Sequence, residues 1–232
     1  MNGLSLIIPA HNSGRVIENS LYRYYEAFSK KFNHFEIIII CNDCIDNTVS
    51  ICKNLEKKLP VRTIEIPQRG KGYALIRGFN EARFDIMGFL DADNPFDLKK
   101  ISDMIGKLDR IHVAIVSKYL RGNKKRQESL SRRLISLASS VVSKFFFNLP
   151  FVDTQAGAKF FRREVWGKIT KNQKEFICTG FDWDIEFLYR VRKDNFKILE
   201  MYISVAYGKF STFRLKYLPG ILKRLLKLRF LR

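Results

Sequence analysis

A chain of 232 residues, 46% of them hydrophobic, can bury a sizeable core and is too apolar for a disordered tail. Lysine and arginine number 42 against 23 acidic residues, a formal charge of +19, so the expected partners are anionic: nucleic acid, phosphorylated small molecules or a negatively charged membrane surface. The first residues, MNGLSLIIPAHNSG, show no basic leader, so no signal peptide is expected, and no stretch reaches the roughly 20 apolar residues of a spanning helix.

In chain order, Leu4 to Pro9 reads as a buried strand, and Ser13 as the cap of a helix through about Lys31. Phe35 to Cys41, FEIIIIC, is a β-branched strand, followed by the polar turn NDCIDNT and a helix through about Lys58. Val61 to Ile66 suits a third strand. The Gly-rich turn QRGKG then leads into a helix from about Tyr73 to Ala82. Strand and helix alternating in this way predict right-handed parallel units in one doubly wound sheet.

The next strand, within FDIMGFLDADNPF from Phe84 to Phe96, is apolar until it stops at Asp91 and Asp93. Residues i and i+2 of an extended chain point the same way, so the two carboxylates can converge on one hard divalent cation. Asn94 and Pro95 read as N-cap and first-turn proline of a helix to about Leu108. Alone, an Asp-x-Asp turn more often holds water than metal; its neighbours in the chain decide.

His112 to Tyr119 gives another strand, and Arg121 to Arg133 a basic loop. Leu134 to Val152 reads as a buried or interfacial helix ending near Asn148. Asp153 to Arg163 is a small-residue turn and short strand, Asp182 to Arg192 a helix, and Lys197 to Ala206 a closing strand. From Leu218 to Leu231 the chain carries cations without acids: Ile221, Leu222 and Leu225 share one side and Lys223, Arg224 and Lys227 another, the pattern of an amphipathic helix on anionic lipid or, alternatively, of a basic helix docked on the domain. Cys41, Cys44, Cys52 and Cys178 are expected to be reduced, and Cys41-x-x-Cys44 lacks the second pair that a metal site needs.

Four features now stand in order: a strand ending Pro9-Ala10-His11-Asn12, a second ending CNDCIDNT, the Gly70-Lys71-Gly72 turn, and Asp91-Ala92-Asp93. Together with DTQAGAKFF and FDWDIEFLY, they make the chain resemble family-two glycosyltransferases of the GT-A fold, especially the dolichyl-phosphate mannose and glucose synthase branch. The resemblance runs from Leu4 to about Tyr207. It implies an α/β fold with a single Rossmann-like, mostly parallel sheet flanked by helices, a catalytic domain over residues 1–207, and a basic tail over 208–232 in peripheral contact with the membrane. The implied activity is inverting transfer of a hexose from a nucleotide sugar to a polyprenyl phosphate at the cytoplasmic face. A saccharide acceptor, or a catalytically silent membrane-binding module, is the alternative. No nucleic acid is expected, because no reading motif interleaves the cations with aromatics.

The same resemblance assigns residues. Asp91 and Asp93 would hold Mg2+ or Mn2+ against the donor diphosphate, Asp93 more firmly. Pro9, Ala10, His11, Asn12, Asn42, Asp43 and Asp46 would line the nucleotide. Cys41 and Asn42 replace the usual leading aspartates of that second loop, while Asp46 and Thr48 match, and either could be an ordinary helix cap. Lys71 and Gly72 suit a phosphate at a helix start. Asp182 and Glu186 share a helical face from which Asp184 points away. The aromatic-Asp-x-Glu pattern makes Asp184 the first candidate for base or acceptor contact and Asp182 the second. Gln155 and Lys159 lie in the segment beside donor sugar and acceptor phosphate, and Arg121, Arg132 and Arg133 are candidate phosphate clamps.

Overall fold

β1 (Gly3–Ala10) lies inside the sheet, with its even-numbered apolar residues Leu4, Leu6, Ile8 and Ala10 turned to one core and Ile7 to another. The computed structural model describes residues 3–93, 96–118, 144–171, 175–204 and 218–230. Seven strands form one sheet in the order β3-β2-β1-β4-β6-β5-β7, where β2 is His34–Asn42, β3 Val61–Ile66, β4 Ile86–Leu90, β5 Val113–Ser117, β6 Ala158–Arg162 and β7 Ile198–Tyr202. β1 pairs in parallel with β2 and β4, and β5 with β7. β6 runs antiparallel to both of its neighbours. The sheet is therefore mostly parallel, as expected, and β6 is its one reversed strand. Hydrophobic patterning reports burial and leaves direction open.

Helices cover both faces. α1 (Ile17–Phe28), α2 (Thr48–Leu55) and α4 (Leu98–Gly106) pack with the even face of β1. α3 (Lys71–Glu81), α5 (Arg163–Lys171), α6 (Trp183–Lys193) and α7 (Leu218–Phe230) pack on the other. Parallel strands covered twice explain the unbroken apolar runs of IIII and VAIV.

Two predicted caps are corrected. α1 starts at Ile17, because Ser13 spends its backbone carbonyl on the amides of Val16 and Ile17 and its own amide on Thr48. α4 is capped by Asp97, whose carboxylate accepts from the amides of Lys99 and Lys100; Asn94 and Pro95 lie outside the described residues. So does most of the 134–152 stretch, of which a helical turn at 144–147 closes at Asn148 in the left-handed region, φ +51°. Among the described residues no helix is long and apolar enough to cross a membrane.

α7 has two faces. Ile221, Leu225 and Leu228 are buried against the domain, so the apolar seam that includes Ile221 and Leu225 faces protein, as the docked alternative has it. Leu222, grouped with them by spacing, is half exposed on the other side.

Candidate active site

The carboxyl end of β4 meets the start of α3, the start of α6 and the first residues of β6. The four elements bring together charges that are far apart in sequence. Lys71, in the first turn of α3, places Nζ 3.1 Å from Asp91 Oδ1 and 3.6 Å from Asp184 Oδ2. Lys159 on β6 places Nζ 2.6 Å from Asp184 Oδ1 and 3.0 Å from the carbonyl of Ala156. Asp91, Lys71, Asp184 and Lys159 thus form an alternating chain of charge. Phe89 of β4 forms its floor, its ring centroid 4.5 Å from Lys71 Nζ and 5.5 Å from Lys159 Nζ.

Burial strengthens the inner part of this chain, Lys71, Asp184 and Lys159, because few water dipoles screen it, whereas the Asp91 side chain is 37% exposed. The Lys159 side chain is 0% exposed, and burial pulls its ammonium below the usual lysine value even with Asp184 opposing. For Lys71 burial pulls the same way, but Asp184 and Asp91 outweigh it and the ammonium is raised. Asp91 is held below the ordinary carboxylate range, since Lys71 overcomes its desolvation. Asp93 goes the other way: desolvation and then the charge of Asp91 push its carboxyl up. Two carboxylates close enough to repel, both offering hard oxygen, are a donor set that suits a divalent cation. Space is kept for one of them by Gly157, where a Cβ would fall 1.8 Å from Asp91 Oδ2. The Asp91 backbone is fixed as well, its amide donating to the Gly157 carbonyl at 3.1 Å and its carbonyl accepting from the Tyr24 hydroxyl at 2.6 Å.

The turn before α3 is shaped by packing. Gly70 has φ +148°, and a Cβ on Gly72 would sit 2.6 Å from the backbone of Thr179. The Tyr73 amide donates to the Thr179 carbonyl at 3.2 Å. That helix-start N–H is therefore spent on protein, while Lys71 turns its side chain into the site.

The loops after β1 and β2 are tied to each other. In the amide orientation that satisfies both neighbours, Asn42 donates to the Ala10 carbonyl at 2.8 Å and accepts from the Gly70 amide at 3.2 Å. His11 Nδ1 lies 2.8 Å from the Asn42 carbonyl. Pro9, the next-to-last residue of β1, is half-buried, and Asn12, at φ +50°, accepts from the Ile45 amide at 2.9 Å. Asp43, at φ +53°, donates its amide to Ile66. Asp46 accepts from the Thr48 amide at 3.0 Å and the Gly14 amide at 3.1 Å, so it closes the junction between the two loops. Cys44 Sγ donates to the Ala10 carbonyl, and the four cysteines are free thiols. A hydrogen bond with Cys44 pulls the Cys41 thiol down, yet a bond with Cys52 and burial push it up to about 12, consistent with a packing thiol.

On α6 the acidic residues separate. Asp184 faces the lysines. Glu186, fully buried, takes Arg190 and the amides of Ile177 and Cys178. Asp182, the second candidate for the base, is 0% exposed and turned away from the lysine cluster: Arg224 of α7 donates to it at 2.7 and 3.0 Å, and the Gly180 amide at 3.2 Å. Its position fits an anchor for α7 and leaves Asp184 as the acid that α6 contributes to the cluster. Gln155 Nε2 reaches the Phe181 carbonyl at 3.3 Å, which keeps it on the loop leading into α6. Arg121, Arg132 and Arg133 lie outside the described residues.

Lys118 is a contributor that the sequence did not single out. It follows β5, its amide donates to Asp153 at 3.1 Å, and its charge adds to the lowering of Asp91 and opposes the rise of Asp93. A lysine directly after a buried strand is the signal that could have found it.

The profile of glycosyl transferase family 2 matches residues 5–195. The chain belongs to glycosyl transferase family 2. Within that family it is 30% identical over 143 residues to a dolichol-phosphate mannosyltransferase of Pyrococcus furiosus, covering 61% of this chain and 40% of that protein. It is 25% identical over 203 residues to the glycosyltransferase AglD of Haloferax volcanii, covering 85% and 32% respectively. The chain thus spans two fifths or less of the length of these two relatives. Its fold matches glucosyl-3-phosphoglycerate synthase of Mycobacterium tuberculosis in complex with Mn2+, uridine diphosphate and phosphoglyceric acid, with TM-score 0.67 at 19% identity over 98% of this chain and 78% of that one. This family-2 chain therefore has the GT-A glycosyltransferase fold, with the four-residue charge chain at the strand ends where ligands of open α/β sheets bind.

Proposed function

We propose that this family-2 glycosyltransferase moves a hexose from a nucleotide sugar to a polyprenyl phosphate, working peripherally at the cytoplasmic face of a membrane. The observation that carries the acceptor class is the state of Asp184. Lys159 engages one of its carboxylate oxygens and Lys71 approaches the other. The carboxylate is thus committed to two ammonium groups instead of standing free beside a sugar or alcohol hydroxyl. A phosphate monoester needs no such base, because its attacking oxygen is already anionic near neutral pH. The Pyrococcus furiosus relative's name, dolichol-phosphate mannosyltransferase, points to the same acceptor class.

Asp91 and Asp93 would hold a Mg2+ or Mn2+ ion, which when bound would neutralise charge developing on the departing nucleoside diphosphate. The protein's own part is electrostatic. Lys71, drawn toward Asp91 and Asp184, presents a cation at the β4 end where donor phosphates would lie. Asp184 holds Lys71 and Lys159 at fixed positions, so their charge needs no reorganisation during transfer. Asn42 and Asp46 hold the nucleotide-side loops in register with the Gly70 turn. In this reading Asn42, in place of the usual aspartate, serves the scaffold, and the nucleobase is read by other groups of those loops.

The reading is tested by incubating the purified chain with a panel of nucleotide sugars, polyprenyl phosphate and Mn2+ or Mg2+, alongside Asp93→Asn and Asp91→Asn. Metal-dependent transfer with one donor, weakened more by the Asp93 change, supports it. Absence of turnover together with absence of metal-dependent nucleotide binding overturns it.

A further inference from the structure

The two faces of α7 do different jobs. At about 100° per residue, the buried Ile221, Leu225 and Leu228 lie on the opposite side of the helix from Leu222, Leu226 and Phe230. The latter three follow one another at i, i+4 and i+8 and are 50, 50 and 72% exposed. Around the helix this stripe has exposed cations on both flanks, Arg229 on one side and Lys223 and Lys227 on the other. The sequence from Tyr207 onward contains no acidic residue. A helix held by one apolar seam therefore shows a second apolar seam, bordered by positive charge, to the outside.

We infer that Leu222, Leu226 and Phe230 form a membrane-contact face that inserts among the headgroups of an anionic bilayer, with Lys223, Lys227 and Arg229 on the phosphates. Charge complementarity selects this occupant: a protein partner would have to be acidic on both borders of an apolar strip, whereas an anionic lipid surface is acidic all round and apolar beneath. The placement also connects to the site. Arg224, on the same helix, pairs with fully buried Asp182, the residue preceding α6, two positions before Asp184. It lies as well 3.0 Å from the Cβ position of Gly180, in the loop whose Thr179 carbonyl receives the Tyr73 amide. A bilayer bound to the outer face is thus tied through one ion pair to the wall that carries Asp184, bringing lipid-borne phosphate to the cluster. This last step rests on the lipid-acceptor reading; the contact face itself does not.

The test uses the full chain and two vesicle compositions, phosphatidylcholine alone and phosphatidylcholine with about a quarter phosphatidylglycerol, measured by co-sedimentation. The wild-type chain should bind the anionic vesicles about tenfold or more tightly than the neutral ones, and Leu222→Ser/Leu226→Ser/Phe230→Ser should lose about tenfold or more of that binding. Circular dichroism and transfer to a short-chain, water-soluble prenyl phosphate should stay within about twofold for the triple variant, showing that the fold and site persist. Anionic vesicle binding that is absent in the wild type or unchanged in the triple variant overturns the inference. So does a wild-type dimer that the triple variant converts to monomer without altered vesicle binding, which would make the stripe a self-association surface. Lost vesicle binding in a chain that transfers to no lipid phosphate would sustain the contact face and overturn the acceptor reading.

Discussion

Lys159 and Asp184 meet at 2.6 Å with 0 and 2% of their side chains exposed, on a strand and a helix 25 positions apart in sequence. Such a pair gives little net stability while intact, because desolvation offsets attraction, but removing one partner strands the other charge. Asp184→Asn should therefore lower unfolding free energy by about 3 kcal/mol and reduce transfer about 100-fold by releasing both lysines. Urea unfolding and initial-rate assays read the two effects separately. A variant of normal stability and rate would show that Asp184 does not organise the site.

Gly157 is predicted to matter through Asp91. A methyl group in the position 1.8 Å from Asp91 Oδ2 must push the carboxylate aside. Gly157→Ala should retain its circular dichroism spectrum and lose about tenfold or more in Mn2+-dependent nucleotide affinity, the size of effect seen when a ligand's support is disturbed. Titration calorimetry with nucleoside diphosphate and Mn2+ checks this, and unchanged affinity would remove Asp91 from the binding set.

Asp182 and Arg224 should behave as a coupled pair. Arg224→Ala leaves a fully buried carboxylate without its guanidinium and should cost about 3 kcal/mol, whereas Asp182→Asn/Arg224→Ala should recover part of that loss. A double-mutant cycle in urea should give a coupling of at least about 1 kcal/mol. Additive effects would mean that α7 is held by its apolar seam alone.

Asp46 links stability to acid. Burial pushes its carboxyl up, but the Thr48 hydroxyl and amide and the Gly14 amide hold it below the ordinary value. Its carboxyl thus has a lower pKa in the folded than in the unfolded chain, so its contribution is present above the ordinary carboxylate range and is lost as pH falls through the lowered value. Asp46→Asn should lose less stability than wild type between about pH 5 and about pH 3, read from urea midpoints. Parallel acid limbs would contradict the role.

The sheet was legible because strands buried on both faces need long β-branched runs, and IIII and VAIV are such runs. The reversal of β6 was not, since AKFFR carries burial and no direction. Asp184 could be singled out through the aromatic-Asp-x-Glu pattern. Its lysines were each visible in their own segments, but their meeting on one carboxylate comes from tertiary packing of α3, β6 and α6. Asp182 shows the opposite case: helical spacing correctly turns it away from Asp184, yet its partner is a tail residue 42 positions on. The tail was legible as an amphipathic helix, but spacing alone could not say which apolar residues face protein, because α7 has two apolar seams.

The most direct measurement compares transfer by the purified chain from its preferred nucleotide sugar to a polyprenyl phosphate and to the matching neutral polyprenol, with Mn2+ present in both. With both Asp184 oxygens facing lysine ammonium groups, the phosphate should be glycosylated and the alcohol should react at least about 100-fold more slowly. Comparable rates on the neutral alcohol, or faster transfer to a soluble saccharide without lipid, would contradict the assignment of an already anionic acceptor.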